Sequence, residues 1–383
     1  LQLASSAAQA GLVTHVIGAD LNQLALPNAA LAGSQLDTFH PCEVLRLTQL
    51  ALEGKLRGQL LLIDDLDCVG EAIDTVLGLG EGRDVLEKLV NASRRGLFAL
   101  ALAGDLANAP MRWCANISQR LYLGVCSDTL ADQAGLKRCQ QAPNQVGAGV
   151  LTLASHWCAA QILLAPVLPD SAANLPASVV DSPASASDLP VNPSDTTTAL
   201  AAAPVVALPE IVPICPPWAL GLGGDQAQPW CPQLSQGLVI IGPAGSGRST
   251  ALARVYDILQ ATDPTLAQHA IFIDNLDQAC PSAINTVETA LDAGTPVFAT
   301  ALTSRAANTY SGALAQLRSL SPLLLLAPGL GEGTQLTNVR LTRWLDPHRQ
   351  HLPGRGLVIA SSQITPIQIC QNTSPTFAAN PQV

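Results

Sequence analysis

The sequence is poor in charged and aromatic residues and has a long stretch without a positive charge. Charged residues make up 13% and aromatic residues 3% of 383 residues, whereas apolar residues make up 48%. Such a chain can bury large cores and is not a solvated, highly charged tail. The net charge is −10, and no Lys or Arg occurs between Arg138 and Arg248. Because non-specific binding to nucleic acid depends on Lys and Arg neutralising phosphates, this composition argues against a broad nucleic-acid surface.

Metal-binding and membrane-spanning patterns are also missing from the sequence. None of the ten cysteines forms a C-x-x-C pair, so we expect no zinc site, and free thiols favour a reducing cytoplasm. No apolar run of about 18 residues is free of polar interruption, so no membrane span is expected within the chain. The first residue is Leu1 rather than Met, which suggests a fragment or processed product. A membrane anchor of the full-length protein would then lie upstream of Leu1.

The segment Gly242–Thr250 reads GPAGSGRST and lies between an apolar run, Leu238–Ile241, and a stretch with helical spacing of apolar residues. Strand, glycine-rich turn and helix together are the context of a phosphate-binding loop, in which backbone N–H groups surround phosphate oxygens. Arg248 stands where the pattern has Lys, so a glycine turn without a ligand remains the alternative. The candidate nucleotide ligands are Gly242, Gly245, Gly247, Arg248, Ser249 and Thr250, with the Ser249 hydroxyl also placed to bind Mg²⁺.

Two apolar runs end in acidic residues. The first, Leu60–Ile63, precedes Asp64 and Asp65. This pattern is typical of a strand whose first acid orients Mg²⁺ and whose second polarises the attacking water, and the alternative is a strand ending in an acidic turn. The second run ends at Asp274, which is followed by Asn275. Because Asn cannot act as a base, we expect that the second site, if it binds ATP or ADP at all, has no meaningful turnover.

The two halves of the chain repeat each other. Leu61–Asp67 matches Ile271–Asp277 at a spacing of 210 residues, and Val146–Gly149 matches Pro353–Gly356 at a spacing of 207 residues. Similar spacing at two separate landmarks predicts a tandem duplication. The first copy is then expected to have its phosphate loop upstream of Leu1. The second copy has no run equivalent to 13–18, so its sheet is expected to be smaller.

A segment rich in Pro, Ala and Ser separates the copies. Residues 166–209 contain eight prolines, no basic residue and no hydrophobic periodicity, which predicts a disordered linker. The resulting division is a first ATPase domain at 1–165, a linker at 166–209 and a second domain at 210–383.

With these motifs the sequence resembles the FtsK/SpoIIIE family of motor ATPases, in the tandem arrangement of EccC, the type VII secretion ATPase. The resemblance rests on the two acidic strand ends, on Asn116-Ile117 leading to Arg120, on Gly242–Thr250 and on Pro353–Gly356. It implies an α/β fold of two tandem RecA-like P-loop domains with mainly parallel sheets, which bind ATP and Mg²⁺ in a hexameric ring. It also implies catalytic roles for Asp64, Asp65 and Asp274, with Asp64 and Asp274 serving Mg²⁺, and suggests a trans-acting finger role for Arg120. The alternative for Arg120 is the capping of a strand edge.

Three functions agree with this resemblance: a motor that moves double-stranded DNA, the distal part of a type VII motor that recruits secreted proteins, and a nucleotide-binding scaffold. The acidic composition counts against a DNA grip in this segment. A basic cluster, Arg340 to Arg355, stands out in the acidic chain. It predicts either a solvated loop or a contact with an acidic partner, with phosphate or with a neighbouring domain.

Overall fold

A computed structural model describes most of both predicted domains. The described residues are 2–18, 32–105, 117–124, 128–133, 136, 145–153, 156–162, 205–337, 339–360 and 363–371. Most of the predicted linker, 166–204, lies outside them, so the domain boundaries at 165 and 209 stay predictions. No helix in the described part of the chain is long and apolar enough to cross a bilayer.

The first domain contains a parallel sheet covered by helices. Its strands are β1 (Thr14–Gly18), β2 (Ala32–Asp37), β3 (Leu60–Ile63) and β4 (Ala99–Leu102), in the order β2–β1–β3–β4. Its helices are α1 (Gln2–Gln9), α2 (Pro41–Leu52), α3 (Leu66–Leu77) and α4 (Glu81–Arg94). Strand β3 is apolar throughout because it is buried on both faces, and its side chains pack with α2, α3 and α4 in one core.

A separate antiparallel sheet follows. It consists of β5 (Gln119–Leu123), β6 (Ala148–Leu153) and β7 (His156–Gln161), with a short helix α5 (Asp128–Gln133). Tyr122 and Val150 pack with this helix segment on one face of the sheet. Within the described residues no strand joins β4 to β5, so the first domain has two sheets.

The second domain has one eight-stranded sheet. Its strands are β8 (Gly221–Gly223), β9 (Gln228–Trp230), β10 (Leu238–Gly242), β11 (Ile271–Ile273), β12 (Val297–Leu302), β13 (Leu323–Leu326), β14 (Arg355–Ala360) and β15 (Gln363–Ile369). The order is β11–β12–β10–β13–β14–β15–β8–β9. Strands β11, β12, β10 and β13 are mutually parallel, and the other four extend the sheet in antiparallel fashion.

Helices cover this sheet and position the candidate site. They are α6 (Arg248–Thr262), α7 (Pro264–His269), α8 (Pro281–Asp292), α9 (Thr303–Ala307), α10 (Ala313–Leu320) and α11 (Leu330–Thr337). Apolar side chains of α6 and of α8 to α11 contribute to two separate cores. The predicted α/β fold, with parallel strands around the phosphate loop, is confirmed.

The expectation of a smaller second sheet is wrong. No strand lies beyond β11 among the described residues, as the missing equivalent of β1 predicts, but β14, β15, β8 and β9 enlarge the sheet on its other side. Strands β8 and β9 are only three residues long and carry no hydrophobic alternation. Strand β8 is placed by hydrogen bonds to β15, which is distant in the sequence, and β9 by hydrogen bonds to β8.

Contacts at the end of each domain support the duplication. Gln161 Nε2 donates to Val146 O at 3.1 Å, and Gln368 Nε2 donates to Pro353 O at 2.9 Å. The two donors are 207 positions apart in the sequence, and so are the two acceptors, which is the spacing of the sequence repeat. The same spacing relates the backbone bonds Ile162 N to Gly147 O and Ile369 N to Gly354 O. The two turns therefore share one local structure.

Candidate functional site

The glycine-rich loop forms a tight bend between β10 and α6. Gly245 and Gly247 have φ values of +79° and +94°, in the left-handed region that favours glycine. A side chain on Gly242 would collide with Ser246 Oγ. These three glycines are therefore needed for the bend, which runs directly into the first turn of α6. That turn presents backbone N–H groups that have no partner within the helix.

Two polar side-chain atoms in the bend are buried without a hydrogen-bond partner. They are Arg248 Nη1 and Ser246 Oγ. A buried charged donor without an acceptor is costly, so its retention fits a site that receives an anion. The free N–H groups at the start of α6 point to the same ligand class. The residues present therefore fit the phosphates of a nucleotide, in agreement with the sequence pattern.

Ser249 and Asp274, predicted to share Mg²⁺, are brought together by the fold. The Ser249 hydroxyl donates to Asp274 Oδ2 at 2.8 Å, although the two residues are 25 positions apart. Asp274 follows β11 and is exposed to solvent. The hydroxyl and the carboxylate are the oxygen ligands that suit Mg²⁺, one binding the ion and the other orienting its water. Thr250 is exposed beside them in the first turn of α6.

Thr300 is a site residue that sequence reasoning missed. It lies on β12, is fully buried and donates from Oγ1 to Asp274 Oδ1 at 2.5 Å. Thr300 Oγ1 also accepts a bond from Asn275 N at 2.8 Å. Thr300 thus holds the carboxylate and the backbone that follows it. The only signal in the sequence is a hydroxyl residue within an otherwise apolar strand.

The position after the acidic strand end has the same backbone conformation in both copies. Asp65 and Asn275 have φ values of +57° and +56°. Left-handed backbone is unfavourable for residues with a side chain but least so for Asn and Asp. In the second copy this special position carries an amide, which cannot take up a proton from water at neutral pH. The two copies therefore share the backbone conformation at this position, with a carboxylate in the first copy and an amide in the second.

The predicted site of the first domain is less complete. Asp64 is exposed after β3, and in the described part of the chain no hydroxyl contacts its carboxylate. Asp65 Oδ1 accepts a bond from Cys68 N at 3.3 Å and so caps α3. Arg120 lies on β5 with its Nε buried and without a hydrogen-bond partner. No hydrogen bond or ion pair joins Arg120 to either Asp. The catalytic roles of all three residues stay predictions, and Asn116 lies outside the described residues.

Comparison with known proteins gives structural likeness without sequence likeness. No family model matches the chain, and no curated protein matches it. The chain is similar to Thermomonospora curvata EccC (ATPases 2 and 3) in complex with a signal sequence peptide, at 13% identity and a TM-score of 0.50, over 94% of this chain and 83% of that one. It is also similar to EssC (ATPases 2 and 3) from Geobacillus thermodenitrificans, at 11% identity and a TM-score of 0.51, over 94% and 85%. The chain therefore has the fold of the tandem ATPase domains found in EccC and EssC.

Proposed function

We propose that this chain is the tandem ATPase part of an EccC-like type VII secretion motor, and that its second domain binds ATP or ADP with Mg²⁺ but turns it over slowly or not at all. The observation that carries the proposal is the buried Arg248 Nη1, which has no hydrogen-bond partner and lies in a glycine-rich bend next to the Ser249–Asp274 pair. The fold likeness to EccC and EssC supports the choice of motor.

In the second site, different residues would bind the phosphates and the Mg²⁺ ion. The N–H groups of the bend and the Arg248 guanidinium would hold the phosphates, with Arg replacing the usual Lys. Ser249 Oγ would bind Mg²⁺, and Asp274, held by Thr300, would orient water on the ion. When bound, Mg²⁺ supplies charge neutralisation between the phosphates. Asn275 leaves the attacking water without a base, so the bound nucleotide serves structure or regulation.

A secreted protein is the proposed substrate. The neighbouring EccC structure contains a signal sequence peptide, and the acidic composition of this chain disfavours a DNA grip. The protein is proposed to act as a hexameric ring in the cytoplasm. The alternative of DNA translocation is favoured by the segment that leads to Arg120. Salt-dependent binding of double-stranded DNA would support that alternative, and its absence at low salt would exclude it for this chain.

Nucleotide titration of the full chain tests the binding proposal. Arg248→Ala should weaken Mg·ADP binding by roughly 10- to 100-fold, because a hydrogen bond from a charged donor contributes about 1.5–3 kcal/mol and 1.4 kcal/mol is tenfold. Arg248→Lys should retain most of the affinity. Arg305→Ala is the control, since Arg305 is 55% exposed and pairs with Asp277. Equal affinity of wild type and Arg248→Ala, or no binding by wild type, would contradict the proposal.

Hydrolysis is tested separately. Wild type and Asp274→Ala should release phosphate from ATP at the same low rate, because Asn275 already removes the acid. A rate in wild type that is lost in Asp274→Ala would overturn the prediction of slow turnover.

A further inference from the structure

The turn of residues 353–356, here called the bridging turn, contacts the phosphate loop. Gly354 N donates to Ser246 O at 2.9 Å, inside the glycine-rich bend. Gly354 also lies against Gly247, since a side chain on Gly247 would reach to 3.5 Å from Gly354 N. The bridging turn thus packs directly against the backbone of the bend. A shift of Ser246 O would strain or break its bond to Gly354 unless Gly354 moves with it.

The next residue in the bridging turn reaches away from the phosphate loop. Arg355 Nη2 donates to Leu208 O at 3.0 Å and to Pro209 O at 2.9 Å. These carbonyls belong to residues 205–209, which the sequence assigns to the linker. The start of this segment is fixed to the first domain: Val205 is buried in that domain's core, and Val205 N donates to Ser34 Oγ at 2.7 Å. Arg355 therefore connects the phosphate loop to a segment anchored in the first domain.

The surroundings of Arg355 are polar but incompletely satisfied. Arg355, Asp346 and, from helix α2 of the first domain, Glu43 line a cavity of about 60 Å³ between the domains. Arg355 Nε and Glu43 Oε2 are buried without hydrogen-bond partners. Burial lowers the pKa of Arg355 and raises the pKa of Glu43. Because charged groups that are buried without hydrogen-bond partners are costly, Arg355 Nε and Glu43 Oε2 oppose the closed interface rather than stabilise it.

Other contacts across the interface do not involve the phosphate loop. Arg46 forms a two-point ion pair with Asp225, and Arg349 Nη1 donates to Phe39 O at 2.9 Å. For the basic cluster at Arg340 to Arg355, one of the predicted alternatives is a contact with a neighbouring domain. Arg349 makes such a contact. These contacts hold the domains together, while Arg355 alone among these arginines lies next to a residue that bonds the bend.

The first copy of the repeat shows that the turn itself does not need the arginine. Ala148 occupies the position 207 residues before Arg355, in a turn with the same backbone contacts. The guanidinium is therefore an addition specific to the second domain. Since the equivalent turn forms without an arginine in the first domain, a purely local structural role does not explain Arg355.

We infer that Arg355 is a positioning residue that couples the phosphate loop to the domain interface, so that the loop's order and the hold on residues 208 and 209 depend on each other. The nucleotide-dependent half of this inference rests on the proposed function. Nucleotide in the bend would fix Ser246 O and hence Gly354, and would thereby steady Arg355 on its two carbonyls. By linkage, release of the two carbonyls should loosen the bend.

Hydrogen exchange of the full chain, followed by mass spectrometry, tests the inference without nucleotide. Arg355→Ala should raise exchange about 5-fold or more at 205–208 and at Ser246 and Gly354, whose N–H groups bond Pro243 O and Ser246 O, in keeping with the typical size of coupling between sites. Arg349→Ala, at an interface arginine that pairs with Glu210 and Asp346 and not with the carbonyls of residues 208 and 209, should leave Ser246 and Gly354 unchanged. Unchanged exchange at Ser246 and Gly354 in Arg355→Ala, or an equal rise in Arg349→Ala, would overturn the coupling.

A second arm uses wild type with Mg·ADP and does not depend on how a variant folds. Slower exchange at both 244–248 and 205–208 supports the coupling, and in Arg355→Ala only 244–248 should slow. Protection of 244–248 alone in wild type overturns the coupling but leaves the proposed function intact. No protection of 244–248 overturns the proposed nucleotide binding, and the nucleotide-free comparison then decides the coupling by itself.

Discussion

Thr300→Val removes a hydroxyl from the centre of the candidate site while keeping the shape of the side chain. The hydroxyl donates to Asp274 Oδ1 and accepts from Asn275 N, and Thr300 is fully buried. A hydrogen bond to a charged group contributes about 1.5–3 kcal/mol, and an amide left without an acceptor costs about 1–3 kcal/mol. Asp274 is exposed and regains water, which favours the lower end for the first term. We therefore expect a loss of about 2.5–4.5 kcal/mol in the free energy of unfolding.

Thr300→Ser is the matched control. It keeps the hydroxyl and deletes one buried methyl group, which should cost about 1 kcal/mol. Urea unfolding of both full-chain variants, compared on the same transition, gives the difference. Mg·ADP titration adds a second measure, since only the Val variant releases Asp274. Val and Ser variants within about 0.5 kcal/mol of each other would refute the role of the hydroxyl, because that margin is the usual scatter for neutral substitutions.

Two further predictions concern titratable groups. Burial lowers the pKa of His15, whose Nδ1 accepts from Ser34 N while Nε2 donates to Gln59 Oε1, so the folded ring stays neutral. The contribution of His15 to stability should be complete above pH 6.5, its pKa in the unfolded chain, and should fall at lower pH because the unfolded state takes up a proton. Calorimetry from pH 7.5 to 5.5 should therefore show a smaller decrease in Tm for His15→Gln than for wild type. An equal decrease of Tm with pH in both proteins would contradict this. The hydroxyl of Ser282 lies 3.1 Å from the sulfur of the exposed Cys280 and lowers the pKa of this thiol. Iodoacetamide should therefore label Cys280 several-fold faster in wild type than in Ser282→Ala at pH 7.5. Equal labelling rates would contradict the effect of Ser282 on the thiol.

Much of the local structure could be predicted from the sequence because its signals are short-range. Apolar runs predict strands such as β3 and β10, and the glycine pattern predicts the bend before α6. Each of these features depends on neighbouring residues and on backbone sterics that one side chain decides.

The duplication could also be predicted from the sequence, and the structure adds contacts that the matching segments did not include. Gln161 and Gln368 belong to the repeat through equivalent side-chain bonds to Val146 O and Pro353 O, a correspondence that the comparison of the two halves of the sequence did not include. Their role depends on strands that return to the turn from later in the chain. Residues that act at such a distance carry no local signal.

The sequence by itself determined the α/β class, the glycine bend and the presence of Asn275 where the first copy has Asp65, because each depends on residue type at a fixed local spacing. Only the tertiary structure decided the partners: Thr300 on Asp274, Arg355 on the carbonyls of residues 208 and 209, and the antiparallel strands that enlarge the second sheet. The physical reason is that a hydrogen bond between distant residues depends on how sheets and domains pack, and no pattern within either segment encodes that packing.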